Sequence, residues 1–111
     1  MAEVSWYQFD YGSTLSHAGS EGGVTIRDEE HPLGARITLE RDTHTAPFAI
    51  TCGIFGWMMH TRFFGLESKA FSEYDLMRSA LSVLLDRASE CDDGGHRVLM
   101  DGVSAFVETC P

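Results

Sequence analysis

The residue types that could do acid–base or anion chemistry concentrate in the segment 57–64. Side chains alternate along an extended strand, so His60 and Arg62 are expected on one face together with Met58. A histidine exchanges protons near neutral pH, and an arginine holds a carboxylate or phosphate in a planar fork. In an apolar cleft this pair would bind a small anion. His60 would then act as the catalytic acid or base, with Glu67 nearby to orient it.

Two other interpretations of this segment compete with the enzyme. In the first, the cleft is a ligand pocket between a sheet and a helix, with His60 and Arg62 as polar anchors and an apolar lining of Trp57, Met59, Phe63 and Tyr74. In the second, His60 and Arg62 lie at a sheet edge or a subunit interface, where Arg62 pairs with one of the 17 carboxylates of the chain.

Metal and phosphate sites have weaker signals. The chain has five histidines and three cysteines, but none has a short metal-ligand spacing, although Cys52 and His60 would meet across a hairpin. The glycine-rich segment 12–23 carries no lysine or arginine, so it is interpreted as a mobile connection rather than a phosphate loop. No metal site and no cofactor are expected.

Charge narrows the range of partners. The chain of 111 residues has a net charge of −9, and its eight basic residues are scattered singly. Binding to nucleic acid or to an anionic membrane needs a basic surface, so neither is expected, whereas a basic protein partner fits. The chain shows no signal-peptide pattern and an odd number of cysteines, which predicts free thiols and a cytoplasmic location.

Hydrophobic periodicity predicts a single α+β domain over residues 1–111, in which 1–64 are mainly strands. Clean alternation at 24–29 and 35–41, around a Pro-Gly turn, indicates an antiparallel hairpin whose outer face is wet. Val24 and Ile26 are assigned to one of its faces and Thr25, Arg27 and Glu29 to the other. Further strands are predicted at 4–11, 47–53 and 57–64.

Helices are predicted in the second half of the chain. Apolar residues recur at helical spacing from 72 to 90, where Ser72 and Asp75 resemble a capping box. The tail at 97–109 fits a short helix, although Asp101-Gly102 is also a hairpin signal. The predicted fold is therefore an antiparallel sheet of four to five strands packed by one long helix plus a short C-terminal helix.

The apolar surplus at 47–64 bears on assembly. Neither face of these strands is polar, and one helix can cover only one face of a sheet. A second apolar face needs another cover, so a homodimer through 47–64 is predicted. No common catalytic or nucleotide-binding motif is present in the sequence. The favoured function is therefore that of a small acidic, non-catalytic interaction or accessory protein, with ligand binding and an enzyme as alternatives.

Overall fold

A computed structural model describes residues 6–55, 58–89 and 96–109. A five-stranded antiparallel sheet, with its strands in chain order, packs against one long helix and a shorter C-terminal helix, which confirms the predicted α+β fold. The elements are β1 (Tyr7–Gln8), a 3₁₀ helix (Phe9–Gly12), β2 (Val24–His31), β3 (Ala35–Arg41), β4 (Phe48–Ile54), β5 (Met58–Phe64), α1 (Glu67–Ser89) and α2 (His96–Thr109). Neither helix has, over the residues described, the length and apolar character that a membrane crossing requires.

The core lies between α1 and one face of strands β3 and β4. Ile37 is paired with Cys52 and Leu39 with Ile50, so these four side chains share a face. All four are buried, and the apolar stripe of α1 covers them. Each large apolar side chain enclosed in this way stabilises the fold by about 1.5–3 kcal/mol. The stripe consists of Ala70, Tyr74, Met77, Leu81, Leu84, Leu85 and Ala88.

Strand β2 departs from the predicted alternation. A register shift separates Thr25, which is paired with Glu40, from Arg27, which is paired with Leu39. The prediction that Thr25 and Arg27 share a face was therefore wrong, because a bulge adds one residue and reverses the side on which later residues lie. As a result Arg27 and Glu29 lie on the face that α1 covers.

Helix α1 is held to β2 by a polar cluster that the sequence does not reveal. The Tyr74 hydroxyl donates to Glu29 over 2.7 Å, and Arg78 donates to the two oxygens of the same carboxylate over 2.8 and 3.0 Å. Burial, reinforced by the hydrogen bond to Glu29, raises the pKa of Tyr74 above its ordinary value. The cluster therefore satisfies polar groups at the margin of an apolar interface.

The long helix starts five residues earlier than predicted. It spans Glu67–Ser89 rather than 72–90, and the Ser72 hydroxyl donates to the Lys69 carbonyl from within the helix. The expected capping box at Ser72 was therefore wrong. The apolar stripe begins at Ala70, one turn before Tyr74, and Glu67 in the first turn interacts favourably with the helix dipole.

The predictions for the two ends of the chain had different outcomes. The predicted strand 4–11 was wrong in its extent: only Tyr7–Gln8 is extended in the part described, because the backbone turns at Asp10 and Tyr11, with φ of 50° and 57°. In the tail, the helix over 97–109 was correct and the hairpin alternative was not. Gly102 lies against Leu84 of α1, where a Cβ atom would overlap the leucine side chain.

Candidate functional site

The predicted pair lies on the side of β5 that faces the helices. His60 is paired with Cys52 and Arg62 with Ile50, so both side chains share the core-facing side of the sheet. Arg62 donates to Glu73 of α1 over 2.8 Å, and the Arg62 side chain is only 13% exposed. This hydrogen bond is the main cause that lowers the pKa of Glu73. Arg62 thus joins β5 to α1 through an ion pair.

His60 packs against helix α2. Its half-buried ring meets Phe106 of α2 edge to face, with the ring centroids 6.3 Å apart. Cys52, its neighbour across the hairpin, is a buried thiol in its reduced form. Glu67 is exposed in the first turn of α1. Within the described ranges, no group of three or more His, Cys, Asp and Glu residues is placed to hold a metal ion.

The residues expected to line one pocket between sheet and helix lie on different sides of the sheet. Met59 is paired with Gly53 and Phe63 with Ala49, which places both on the face opposite Arg62. Tyr74, on the sheet-facing side of α1, is fully buried, and its hydroxyl donates a hydrogen bond to Glu29. Trp57 lies outside the described residues. A cleft that combines these side chains is therefore not formed by the residues described.

The face of the sheet turned away from α1, here called the open face, has a different character. Its residues on β3, β4 and β5 form three rows across the strands. In two of the rows the β4 residue, Gly53 or Ala49, is smaller than both of its neighbours, which leaves a depression along β4. The rows are Arg36-Gly53-Met59, Thr38-Thr51-Thr61 and Glu40-Ala49-Phe63.

A cavity of about 400 Å³ occupies this depression. Thr38 and Thr51 contribute hydroxyl groups to its lining, Phe55 and Met59 contribute apolar surface, and Thr14 belongs to the loop between the first two strands. A cavity of this volume falls within the range of binding pockets for small molecules or for a single side chain.

The loop 12–23 forms one wall of the cavity and is anchored to the sheet. Glu40 is 1% exposed, and its carboxylate accepts the backbone N–H groups of Glu21 over 3.2 Å and of Gly23 over 3.1 Å. A Cβ atom on Gly19 would overlap the same carboxylate. The expectation of a mobile connection therefore does not describe this loop, because a buried acceptor on β3 holds its backbone.

A second buried carboxylate lies beside the cavity. Arg36 donates to the two oxygens of Asp28 over 2.9 and 2.6 Å, and the Thr14 hydroxyl donates to Asp28 over 2.7 Å. The hydrogen bonds to Asp28 raise the pKa of Arg36 above its ordinary value. The Phe9 ring covers the guanidinium, with 3.6 Å from Arg36 Cζ to the ring centroid. The alternate spacing of Arg36, Thr38 and Glu40 in the sequence predicts that their side chains share one face of the sheet. It does not predict that loop 12–23 covers part of that face.

The open face combines buried, hydrogen-bonded carboxylates with a cavity. Its carboxylates accept hydrogen bonds from the protein itself, and its depression is lined by hydroxyl and apolar groups. No protein-family model, no curated protein and no solved structure matches this chain.

Proposed function

We propose that this protein is a non-catalytic interaction protein whose open face binds a basic protein partner. The observation that carries the proposal is the cavity of about 400 Å³ on the open face, where Gly53 of β4 lies between Arg36 and Met59 of the neighbouring strands. Met59 is 79% exposed and Phe55 57% exposed at one end of it. Exposed apolar side chains around a concave surface are typical of a site that receives another molecule.

Charge supports a basic partner. Asp28 and Glu40 line the cavity together with one cation, Arg36, so these three groups sum to −1. The whole chain carries −9, which steers a basic protein towards it and speeds association. A lysine or arginine of the partner would lay its aliphatic stem along Met59. The net charge of the chain would attract it, rather than Asp28 or Glu40, which are buried and already hydrogen-bonded.

The bonding of the ionisable groups supports a non-catalytic role. Asp28 is engaged by Arg36 and Thr14, and Glu40 by backbone N–H groups. Cys52 contributes to the cavity wall, but its side chain belongs to the core under α1. The described part of the cavity lining contains no histidine, lysine or tyrosine. A general acid or base has to reach its substrate with a proton to exchange.

The cytoplasm is the proposed compartment for this interaction. The buried, reduced thiol of Cys52 is compatible with a reducing environment, in which structural disulfides are rare.

The test places a photo-crosslinking amino acid at Phe55, on the cavity, and at Leu76, which is 60% exposed on α1, as the matched control. In the cells from which the sequence comes, we expect the Phe55 position to trap one basic protein and the Leu76 position not to. Thr51→Arg, which fills the depression and adds a positive charge, should abolish the adduct. Equal capture at both positions, or a Phe55 adduct that survives Thr51→Arg, would contradict the proposal.

A small ligand is the second candidate, because the cavity volume of about 400 Å³ also suits one. Thr38 and Thr51 would orient its polar groups, rather than His60 and Arg62, which lie on the other side of the sheet. Native mass spectrometry of the purified protein tests this candidate. An extra mass that disappears in Thr51→Arg would favour it, and an unliganded mass would remove it.

A further inference from the structure

We propose that two copies of this chain join through the outer edges of β5, in antiparallel pairing about a twofold axis at Thr61. The two five-stranded sheets would then form one continuous sheet of ten strands. The proposal gives a geometry to the homodimer expected from the apolar segment 47–64, and it does not depend on the partner of the open face.

The first observation is that β5 is an unprotected edge strand. It is last in the strand order, and it pairs with β4 over all seven residues from Met58 to Phe64 without a register shift. Proteins that keep an edge strand from pairing use lysine, proline, bulges or very short strands. β5 contains none of these four. It carries one inward-pointing charge, Arg62, which is a further protective device, but Glu73 of the same chain pairs with that charge. Among the residues that the structure describes, no strand lies on the outer side of β5, so a second strand can pair there.

The second observation is that β5 is complementary to itself in this register. Paired residues must lie on the same face of the joined sheet, so a strand pairing with its own copy can shift only by two residues. With Thr61 opposite the partner's Thr61, all seven residues are paired and Met59 lies opposite the partner's Phe63. Met59 is 79% and Phe63 42% exposed in the single chain. The twofold axis forms this apolar pair twice.

The neighbouring registers are less favourable. A shift towards the C-terminus places Arg62 opposite the partner's Arg62, which brings two like charges together, whereas the register about Thr61 places Arg62 opposite the partner's His60. A shift towards the N-terminus leaves Phe63 opposite a residue outside β5 and pairs Met59 with the partner's Thr61. The register about Thr61 is therefore the one in which exposed apolar side chains cover each other.

The third observation is the distribution of charge. The chain carries 17 acidic residues, yet none lies between Asp42 and Glu67, the stretch that contains β4 and β5. Two copies with a charge of −9 each repel one another. Their approach is least opposed where carboxylates are absent from the sequence. On the side of β5 that faces the helices, Phe106 of α2 contacts His60. A second strand would therefore approach β5 along its backbone edge and not over that side.

The experiment measures the monomer–dimer equilibrium of the full chain by sedimentation equilibrium, with charges placed in the apolar pair. Met59→Glu and Phe63→Lys, each alone, should raise the dimer dissociation constant by at least about tenfold. Each substitution places a charge opposite an apolar side chain, and the twofold axis repeats this unfavourable pair. In the double variant the introduced carboxylate of one copy lies opposite the introduced ammonium of the other. The dissociation constant should then return to within about threefold of the wild type. Leu76→Glu, on the exposed side of α1, is the matched control and should change nothing.

Each result decides for or against this geometry. A wild type that stays monomeric at every concentration overturns the proposal. A dimer that is unaffected by both single substitutions, or a double variant that is not rescued, overturns it as well. Both side chains are exposed, so at a protein concentration where the wild type is monomeric, thermal unfolding of each variant should match the wild type and separate loss of pairing from loss of folding. Crosslinking at Phe55 tests the open-face partner separately.

Discussion

His31 is a buried titratable residue at the end of β2. It is 2% exposed, its Nδ1 accepts the Leu33 N–H over 3.1 Å, and its ring meets Trp6 edge to face at 5.1 Å. Because Nδ1 is an acceptor, the proton of the neutral ring is on Nε2. Burial lowers the pKa of His31, and the nearby charge of Asp86 opposes this only in part. The folded state therefore favours neutral His31.

This bonding predicts that stability falls on mild acidification. Below about pH 6.5 an unfolded histidine takes up a proton, whereas folded His31, with its lowered pKa, resists it. The free energy of unfolding should therefore fall as the pH drops from about 7.5 to about 5.5, by at most about 1.4 kcal/mol per pH unit from this group. Urea unfolding at the two pH values measures the fall. His31→Asn, whose Oδ1 replaces the Nδ1 acceptor, should reduce it, and an unchanged fall would exclude His31 as its source.

Arg62 and Glu73 predict a second effect at the residue scale. Both side chains are mostly buried, and their 2.8 Å ion pair connects β5 to α1. Arg62→Met should lower the free energy of unfolding by about 1–3 kcal/mol, because it leaves the Glu73 carboxylate without its closest cation. Chemical denaturation measures the loss.

A neighbouring cation provides the control for Arg62. Lys69 also pairs with Glu73, at 3.4 Å, but its side chain is 59% exposed, so Lys69→Met should cost less than about 0.5 kcal/mol. If the two substitutions have equal effects, Arg62 is not the structural partner of Glu73 that its geometry indicates.

At the scale of elements, loop 12–23 should depend on the absence of a side chain at Gly19. A Cβ atom there would overlap the Glu40 carboxylate, which accepts the backbone N–H groups of Glu21 and Gly23. Gly19→Ala should lower stability by about 1–3 kcal/mol and speed hydrogen exchange at these two N–H groups. Gly65→Ala is the control, because no atom lies within 4 Å of its added Cβ. Equal exchange in both variants would show that Glu40 does not hold the loop.

The elements with regular local patterns were predictable from the sequence. Alternation placed Ala35, Ile37 and Leu39 on one side of β3, and the spacing of Tyr74, Met77 and Leu81 located the long helix. The same alternation placed His60 and Arg62 on one face of β5. These features follow from the periods of strand and helix, which each segment carries by itself.

The features that depend on distant contacts were not predictable. The bulge after Thr25 directs Glu29 towards Arg78, and this partner is 49 residues away in the chain. Glu40 looked like a solvated outer residue because the strand pattern does not show that loop 12–23 folds over it. The cavity on the open face was missed for the same reason, since it needs Gly53 of β4 to lie between Arg36 of β3 and Met59 of β5.

At the scale of the whole molecule, the acidic residues and the edge strand proposed to pair with a second copy lie in different parts of the sheet. The acidic residues Asp28, Glu29 and Glu30 follow one another on β2, whereas the stretch from β4 through β5 contains no carboxylate. The acidic region favours a basic partner, and the acid-free edge favours a second copy. The two proposed contacts therefore meet at Met59, which lies both at the cavity and on the edge strand β5, and otherwise use different parts of the same sheet.

Because of this separation, salt should act on the two contacts in opposite directions. Added salt shortens the Debye length from about 14 Å at 50 mM to about 4 Å at 500 mM. Screening reduces the repulsion between two copies of charge −9, so the dimer dissociation constant should fall severalfold when it is measured by sedimentation equilibrium. The attraction of a basic partner should weaken over the same range, which would lower the crosslinking yield at Phe55. A dimer that salt dissociates would mean that ion pairs, and not the apolar edge of β5, hold the two copies together.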